Sequence, residues 1–160
     1  VKDRLRFAYD DGHFYNSHTV INCVRYDLLQ NVNYVSVKRA LKDADIVFSK
    51  TYNYKFLLSL LNSNLLNWYF TSFLSEGLHF YPDDAKNLPI IKLTELSQQP
   101  FITLVNEILF NKKENIDTTD LEKQIDVMVY KLYELDYEEV LIVEPAFGLS
   151  EQEYDNYKMQ

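Results

Sequence analysis

The stretch that most limits how this chain can fold is residues 52–70, Tyr-Asn-Tyr-Lys-Phe-Leu-Leu-Ser-Leu-Leu-Asn-Ser-Asn-Leu-Leu-Asn-Trp-Tyr-Phe. Phe56, Leu57, Leu60 and Leu61 recur at helical spacing, and Leu65, Leu66, Trp68, Tyr69 and Phe73 do so again. Between the two runs sits Asn62-Ser63-Asn64. Asn tolerates the left-handed conformation that ends many helices. A Ser hydroxyl accepts a hydrogen bond from an unpaired amide in the next first turn. The pattern predicts one helix over about 53–61, capped by Asn53, a break at Asn62-Ser63, and a second helix over about 64–75. Apolar surface of this density needs cover, so the other elements are expected to pack around the pair.

Before the pair, the pattern predicts a small, mostly antiparallel β unit over residues 1–50. Arg4-Leu-Arg-Phe-Ala-Tyr9 alternates polar and apolar as a half-buried strand does. Asp10-Asp11-Gly12 is a turn signal, because Gly accepts the positive φ a tight hairpin needs. His18 to Tyr26 is β-branched and strand-like, Tyr34 to Val37 reads as a short strand, and Asp45 to Ser49 as another. After the pair, Glu76-Gly77 marks a stop, and 78–92 reads as an extended connection with a turn at Pro82–Asn87. Thr94 caps a segment leading to Pro100. Helices follow over about 101–110, from Thr118 or Thr119 to about 135, and from Tyr137 to Ile142. Residues 146–160 read as a polar tail that frays or forms an arm. The expected class is therefore α+β: one domain over 1–145, with the β unit packed on the central pair and acidic helices over 98–143.

Charge is distributed unevenly. Residues 1–92 carry 11 Lys or Arg against 9 Asp or Glu, a net of +2, whereas residues 93–160 carry 5 against 15, a net of −10. The overall −8 therefore belongs to the C-terminal part and leaves the N-terminal part free to meet a polyanion. Solvated acidic helices account for the same numbers without any partner. The chain opens on Val rather than an initiator Met, which reads as a piece of a longer protein. No apolar run reaches the roughly 18 residues of a membrane helix, and Cys23 alone makes neither a disulfide framework nor a zinc cluster; a cytoplasmic setting is expected.

Few residues are arranged for chemistry. There is no glycine-rich phosphate loop, no Gly-x-Ser-x-Gly elbow and no His pair at metal spacing. Cys23, among apolar neighbours, reads as a buried structural thiol rather than a nucleophile. Asp84-Ala85-Lys86 echoes half of a metal-dependent nuclease site but lacks the separate acidic residue that such a site needs. No catalytic residue and no metal ligand is assigned. The aromatic residues Trp68, Tyr69, Phe70 and Phe73 are expected in the core rather than stacked on bases.

The region from Leu61-Asn62-Ser63 onward resembles the TaqI-like C-terminal specificity domain of adenine-N6 DNA methyltransferases and fused restriction–modification enzymes. Leu-Asn-Ser followed by an aliphatic and aromatic helix is its first element. Leu88-Pro89-Ile90 is the second and Gln98-Gln99-Pro100-Phe101 the third. The fourth is a helix with Ile125-Asp126, Val129-Tyr130, Leu132-Tyr133 and Leu135. These occur in the family's order across about 52–143. The resemblance implies a target-recognition domain that reads double-stranded DNA, while an upstream methyltransferase domain of the same polypeptide binds S-adenosylmethionine. The Asn/Asp-Pro-Pro-Tyr/Phe motif and cofactor loop of the catalytic domain are absent here, so no cofactor is assigned to this chain.

The matched motif residues are apolar or capping and carry no contact residue over. DNA contacts are therefore sought by charge and position, at Arg25, Lys38, Arg39, Lys50, His79, Tyr81 and Lys86, with Lys42 and Lys55 framing the same region. Arg is favoured because its planar fork matches the O6 and N7 acceptors of guanine. The competing expectation is that the arginines are solvated or pair with Asp27, Asp43 or Asp45. The alternative function is a protein-interaction module docking through the acidic helices, with a nuclease third.

Overall fold

A computed structural model describes residues 4–12, 20–40, 42–74 and 80–158 of the chain. The described residues contain no strand and no sheet, which overturns the α+β expectation. A short 3-10 helix at Tyr26–Leu29 comes first. The α-helices are α1 (Val35–Ala40), α2 (Asp43–Lys50), α3 (Tyr54–Leu61), α4 (Asn64–Tyr69), α5 (Pro82–Lys86), α6 (Glu95–Lys113), α7 (Thr119–Leu132), α8 (Tyr137–Val143) and α9 (Glu151–Asp155). A π-helical turn, Phe70–Leu74, extends α4.

The β unit fails for separable reasons. Residues 4–9 are extended, and their burial alternates as expected: Leu5, Phe7 and Tyr9 face in, while Arg4, Arg6 and Ala8 face out. Their partner is the helix pair rather than a second strand. The Phe7 N–H donates to Asn62 Oδ1 at 3.0 Å, Asn62 Nδ2 donates to the Phe7 carbonyl at 3.0 Å, and the Leu5 N–H donates to Asn67 Oδ1 at 2.9 Å. Side-chain amides thus supply bonds that a neighbouring strand would have made. The Gly12 N–H closes onto Asp10 Oδ1 at 2.7 Å, but no described glycine has a positive φ, so the reason given for a hairpin does not hold. Residues 13–19, with the start of the second expected strand, lie outside the described residues; 20–25 form no regular element, and Cys23 is exposed rather than buried. Val35 onward and Asp43 onward are helical despite their β-branched content, because β-propensity yields readily to context. In α2, Ile46 and Ser49 turn inward three residues apart, and Asp43 and Asp45 sit in the first turn where the helix dipole favours them.

The central pair forms as expected. Asn53 accepts from the Lys55 N–H at 2.8 Å and Ser63 accepts from the Leu66 N–H at 3.3 Å, so each helix begins at the cap read from the sequence. Asn62 ends α3 in a right-handed conformation (φ −95°), not the left-handed one. Ser63 also donates to the Leu60 carbonyl at 2.7 Å, which lets its hydroxyl be buried without an orphan. Trp68 is half-buried and packs against the core.

The core lies where α3 packs along α6 and α4 packs on α7 and α8. Phe56 and Phe101 meet edge to face at 5.4 Å, with Leu60, Leu66, Val105 and Val129 around them. The longest helix, α6, starts earlier than expected, at the Thr94 cap, and continues through Pro100. Pro100 has no N–H to give the Leu96 carbonyl, and Leu96 is exposed (81%), so water can take the bond that the helix omits.

The C-terminal residues are packed, not an arm. Tyr154 of α9 is fully buried and donates to the Leu135 carbonyl at 2.7 Å. Its ring contacts Phe147, and the Lys131 ammonium lies 3.5 Å from its centroid. Sequence polarity concealed this because three aromatic residues, Phe147, Tyr154 and Tyr157, do the packing among many carboxylates.

Candidate nucleic-acid interface

Polar residues join the first and second sequence motifs to the fourth, and those of the third tie it to the entrance of α3. In the first, the Asn64 N–H at the start of α4 donates to Asp126 Oδ1 of the fourth at 2.7 Å. In the second, the Pro89 carbonyl accepts from the Tyr133 hydroxyl of the fourth. In the third, Gln98 is almost wholly buried: Oε1 accepts from the Asn53 N–H at 2.9 Å, while Nε2 donates to the carbonyls of Thr51 (2.6 Å) and Leu93 (3.1 Å). An amide with all these bonds filled ties the entrance of α3 to the first turn of α6.

Asp126 sits in a polar knot. Asn64 Nδ2 donates to Glu144 Oε2 at 3.1 Å, and the Tyr130 hydroxyl donates to the same oxygen at 2.8 Å. Burial pushes the Asp126 carboxyl up to about 6; the Asn64 N–H and Arg4 pull the other way, while Glu144 and Glu122 push it further up. Tyr130 is raised too, by burial first and then by its bond to Glu144.

The charged residues named from the sequence are placed differently from one another. Arg25 is turned into the fold: its guanidinium donates to the Tyr52 carbonyl at 3.1 Å, pairs with Asp27 at 3.1 Å and lies over the Tyr54 ring at 5.3 Å. Its Nε is enclosed without a partner. The pairing with Asp27 is the competing expectation stated above, and it leaves Arg25 little to offer a ligand. Lys38, Arg39 and Lys50 are exposed at the ends of α1 and α2 and meet no carboxylate among the described residues. Lys86 pairs with Asp83 at 2.5 Å, which lowers the Asp83 carboxyl and raises the Lys86 ammonium. Tyr81 is exposed (59%) at the N-terminus of α5, where its N–H donates to Asp84 Oδ2 at 2.7 Å. His79 lies outside the described residues.

Asp84, committed to that cap, and Lys86, committed to Asp83, share one solvated helical turn. Among the described residues no group of three or more His, Cys, Asp or Glu is arranged to hold a metal. A cleft of about 220 Å³ opens between Arg25, Lys50, Asn53, Glu95 and Gln99, smaller than the ~300–1,000 Å³ usual for small-molecule sites. Among the described residues no helix is long and apolar enough to cross a membrane.

Two basic residues that charge counting passed over are the better placed. Arg4 and Arg6 stand on the outward face of the 4–9 ribbon. Arg4 donates one N–H to the Asn62 carbonyl. Arg6 meets no carboxylate among the described residues. The alternation that marked 4–9 as extended already carried this signal, since apolar odd positions facing in oblige the even ones to face out.

No family model matches the chain, and no curated protein or solved structure is found to be similar to it.

Proposed function

We propose that this chain is a non-catalytic DNA-recognition module whose chemistry is supplied by a separate methyltransferase domain. The observation that carries this reading is the stitching of three of the four motif elements through the fourth-element helix α7 and the turn after it. Asn64 to Asp126 and Tyr133 to Pro89 join the first and second elements to the fourth across separations of 62 and 44 positions. A chance match of motifs carries no such requirement. Charge supports the same reading: among the described residues Arg6, Lys38, Arg39, Lys42 and Lys50 meet no carboxylate and precede α3, whereas the chain after residue 92 carries the acidic excess.

With a net charge of −8 the chain opposes a polyanion, so weak affinity is expected, and phosphate contacts from the catalytic domain would normally add to it. The test is an amide-resolved NMR titration with a random-sequence duplex at low salt. DNA-dependent shifts confined to residues before 93 support the reading. No shifts at millimolar duplex, or shifts confined to α6–α8, overturn it.

A second reading is protein docking, and exposed apolar residues before α3 as well as on the acidic helices support it. The exposed large apolar residues Val24, Leu28, Tyr34, Val35, Val47 and Phe48 lie in the segment before α3, and fewer, Leu96, Phe110 and Ile142, lie on the acidic helices. Apolar exposure marks an interaction surface where it is contiguous. Concentration-dependent self-association, or co-purification with a methyltransferase domain that Val47→Asp abolishes, is the measurement that favours it.

A further inference from the structure

We propose that the extended ribbon Arg4–Tyr9 is a rigid phosphate-contacting arm, with Arg6 its principal cation and Arg4 its second. This rests on the DNA reading above and names the surface within it. The ribbon is held at three points along the helix pair. Asn67 takes the Leu5 N–H, Asn62 takes both the N–H and the carbonyl of Phe7, and the Lys55 ammonium lies 5.3 Å from the Tyr9 ring centroid. Phe7 is braced from another side by Phe80, at 5.8 Å, which in turn meets Phe70 at 5.3 Å. With the inward side chains fixed, Arg4 and Arg6 leave the backbone on the same, outer face about 7 Å apart, the two-residue repeat of an extended chain, and the Arg4 guanidinium reaches back to the Asn62 carbonyl.

Such presentation suits a phosphate backbone. A guanidinium binds phosphate oxygens through paired N–H donors, and holding its backbone still removes part of the ordering cost of binding. Arg6 is exposed and free of any acidic partner among the described residues, so it approaches a phosphate without first breaking an ion pair. Arg4 is the weaker contact, because it already serves the Asn62 carbonyl and feels the charges of Asp126 and Glu122. Both read backbone, not base: they position the duplex and carry no sequence preference of their own.

The test is the salt dependence of duplex binding, measured by the same NMR titration at several salt concentrations. The wild-type chain is compared with Arg6→Ala, with Arg4→Gln/Arg6→Ala, and with Lys113→Ala on α6 as a control. Arg4→Gln keeps an amide donor for the Asn62 carbonyl, and unchanged melting temperatures verify that the ribbon's support survives. Each lost phosphate contact flattens the slope of log K against log salt by about 0.9. Arg6→Ala is expected to flatten it by about 0.9 and the double variant by up to about 1.8, with Lys113→Ala unchanged. If the double variant keeps the wild-type slope while wild-type binding is intact, the arm is wrong and the DNA reading survives. If the wild-type chain shows no binding, both fall together.

Discussion

Asp126→Asn is expected to make the protein more stable at neutral pH and to remove a specific part of its pH dependence. The Asp126 carboxyl, ordinarily near 3.8, is pushed up to about 6, with burial the largest cause. The folded chain therefore holds that proton more tightly than the unfolded chain does. The stability this contributes is fully present below about pH 4 and is lost as pH rises through about 6. A difference of about two pH units is worth about 3 kcal/mol, an upper value for a side chain that keeps some exposure. Asn has the same shape, and its Oδ1 can still accept the Asn64 N–H that now bonds at 2.7 Å. It brings no charge toward Glu144 and Glu122. Denaturant unfolding of both proteins from pH 4 to pH 8 isolates the effect, because the other carboxylates cancel in the difference. The variant should gain about 2–3 kcal/mol relative to wild type between pH 4 and pH 7. A difference that stays flat across that window would refute the assignment of a buried, protonatable Asp126.

The remaining predictions concern the supports of the central pair and the C-terminal cap. Asn62→Ala should cost about 1–2 kcal/mol and speed hydrogen exchange at the Phe7 amide, while Asn62→Asp should be worse because a carboxylate cannot donate to the Phe7 carbonyl; unchanged Phe7 exchange in the Ala variant would dissolve the clamp. Ser63→Ala should cost about 2 kcal/mol, the upper end for an N-cap, since the hydroxyl is buried and serves both the Leu66 N–H and the Leu60 carbonyl. Tyr154→Ala should cost about 3–5 kcal/mol, as for a core aromatic, which denaturant unfolding reads directly; a loss below 1 kcal/mol would return residues 146–160 to the status of an arm.

The sequence was most legible where local chemistry and packing agree. Around Asn53 and Ser63 the caps, the apolar spacing and the demand for burial point the same way, and both helix starts follow. It was least legible between 20 and 50. There β-branched and aromatic residues imitate strands, yet no described strand completes a ladder, and short helices form with Val35, Val47 and Phe48 left exposed. The tail misled for the opposite reason. Its average polarity is high, but burial is decided residue by residue, and one Tyr with a carbonyl in reach of its hydroxyl anchors α9. Arg25 shows the limit of reading function from charge: a cation with Asp27 two residues away and tyrosines across the fold can spend most of its hydrogen bonds on its own chain.

The ribbon at 4–9 separates what alternation encodes from what it leaves open. Alternating apolar residues state that one face of an extended segment is covered; they do not state by what. Backbone N–H and C=O groups of a covered segment still need partners, and a second strand is only the commonest source. Here Asn62 and Asn67 are that source, and both are visible in the sequence as polar interruptions of an otherwise apolar pair. An Asn amide carries an acceptor and a donor side by side, the same couple a peptide group offers, so it can pair with an extended backbone where no strand lies alongside. The substitution matters for function as well as for fold. A sheet would have left an open edge prone to pairing with other strands. A ribbon laid on helices instead turns one face inward and gives the other, Arg4 and Arg6, to whatever approaches.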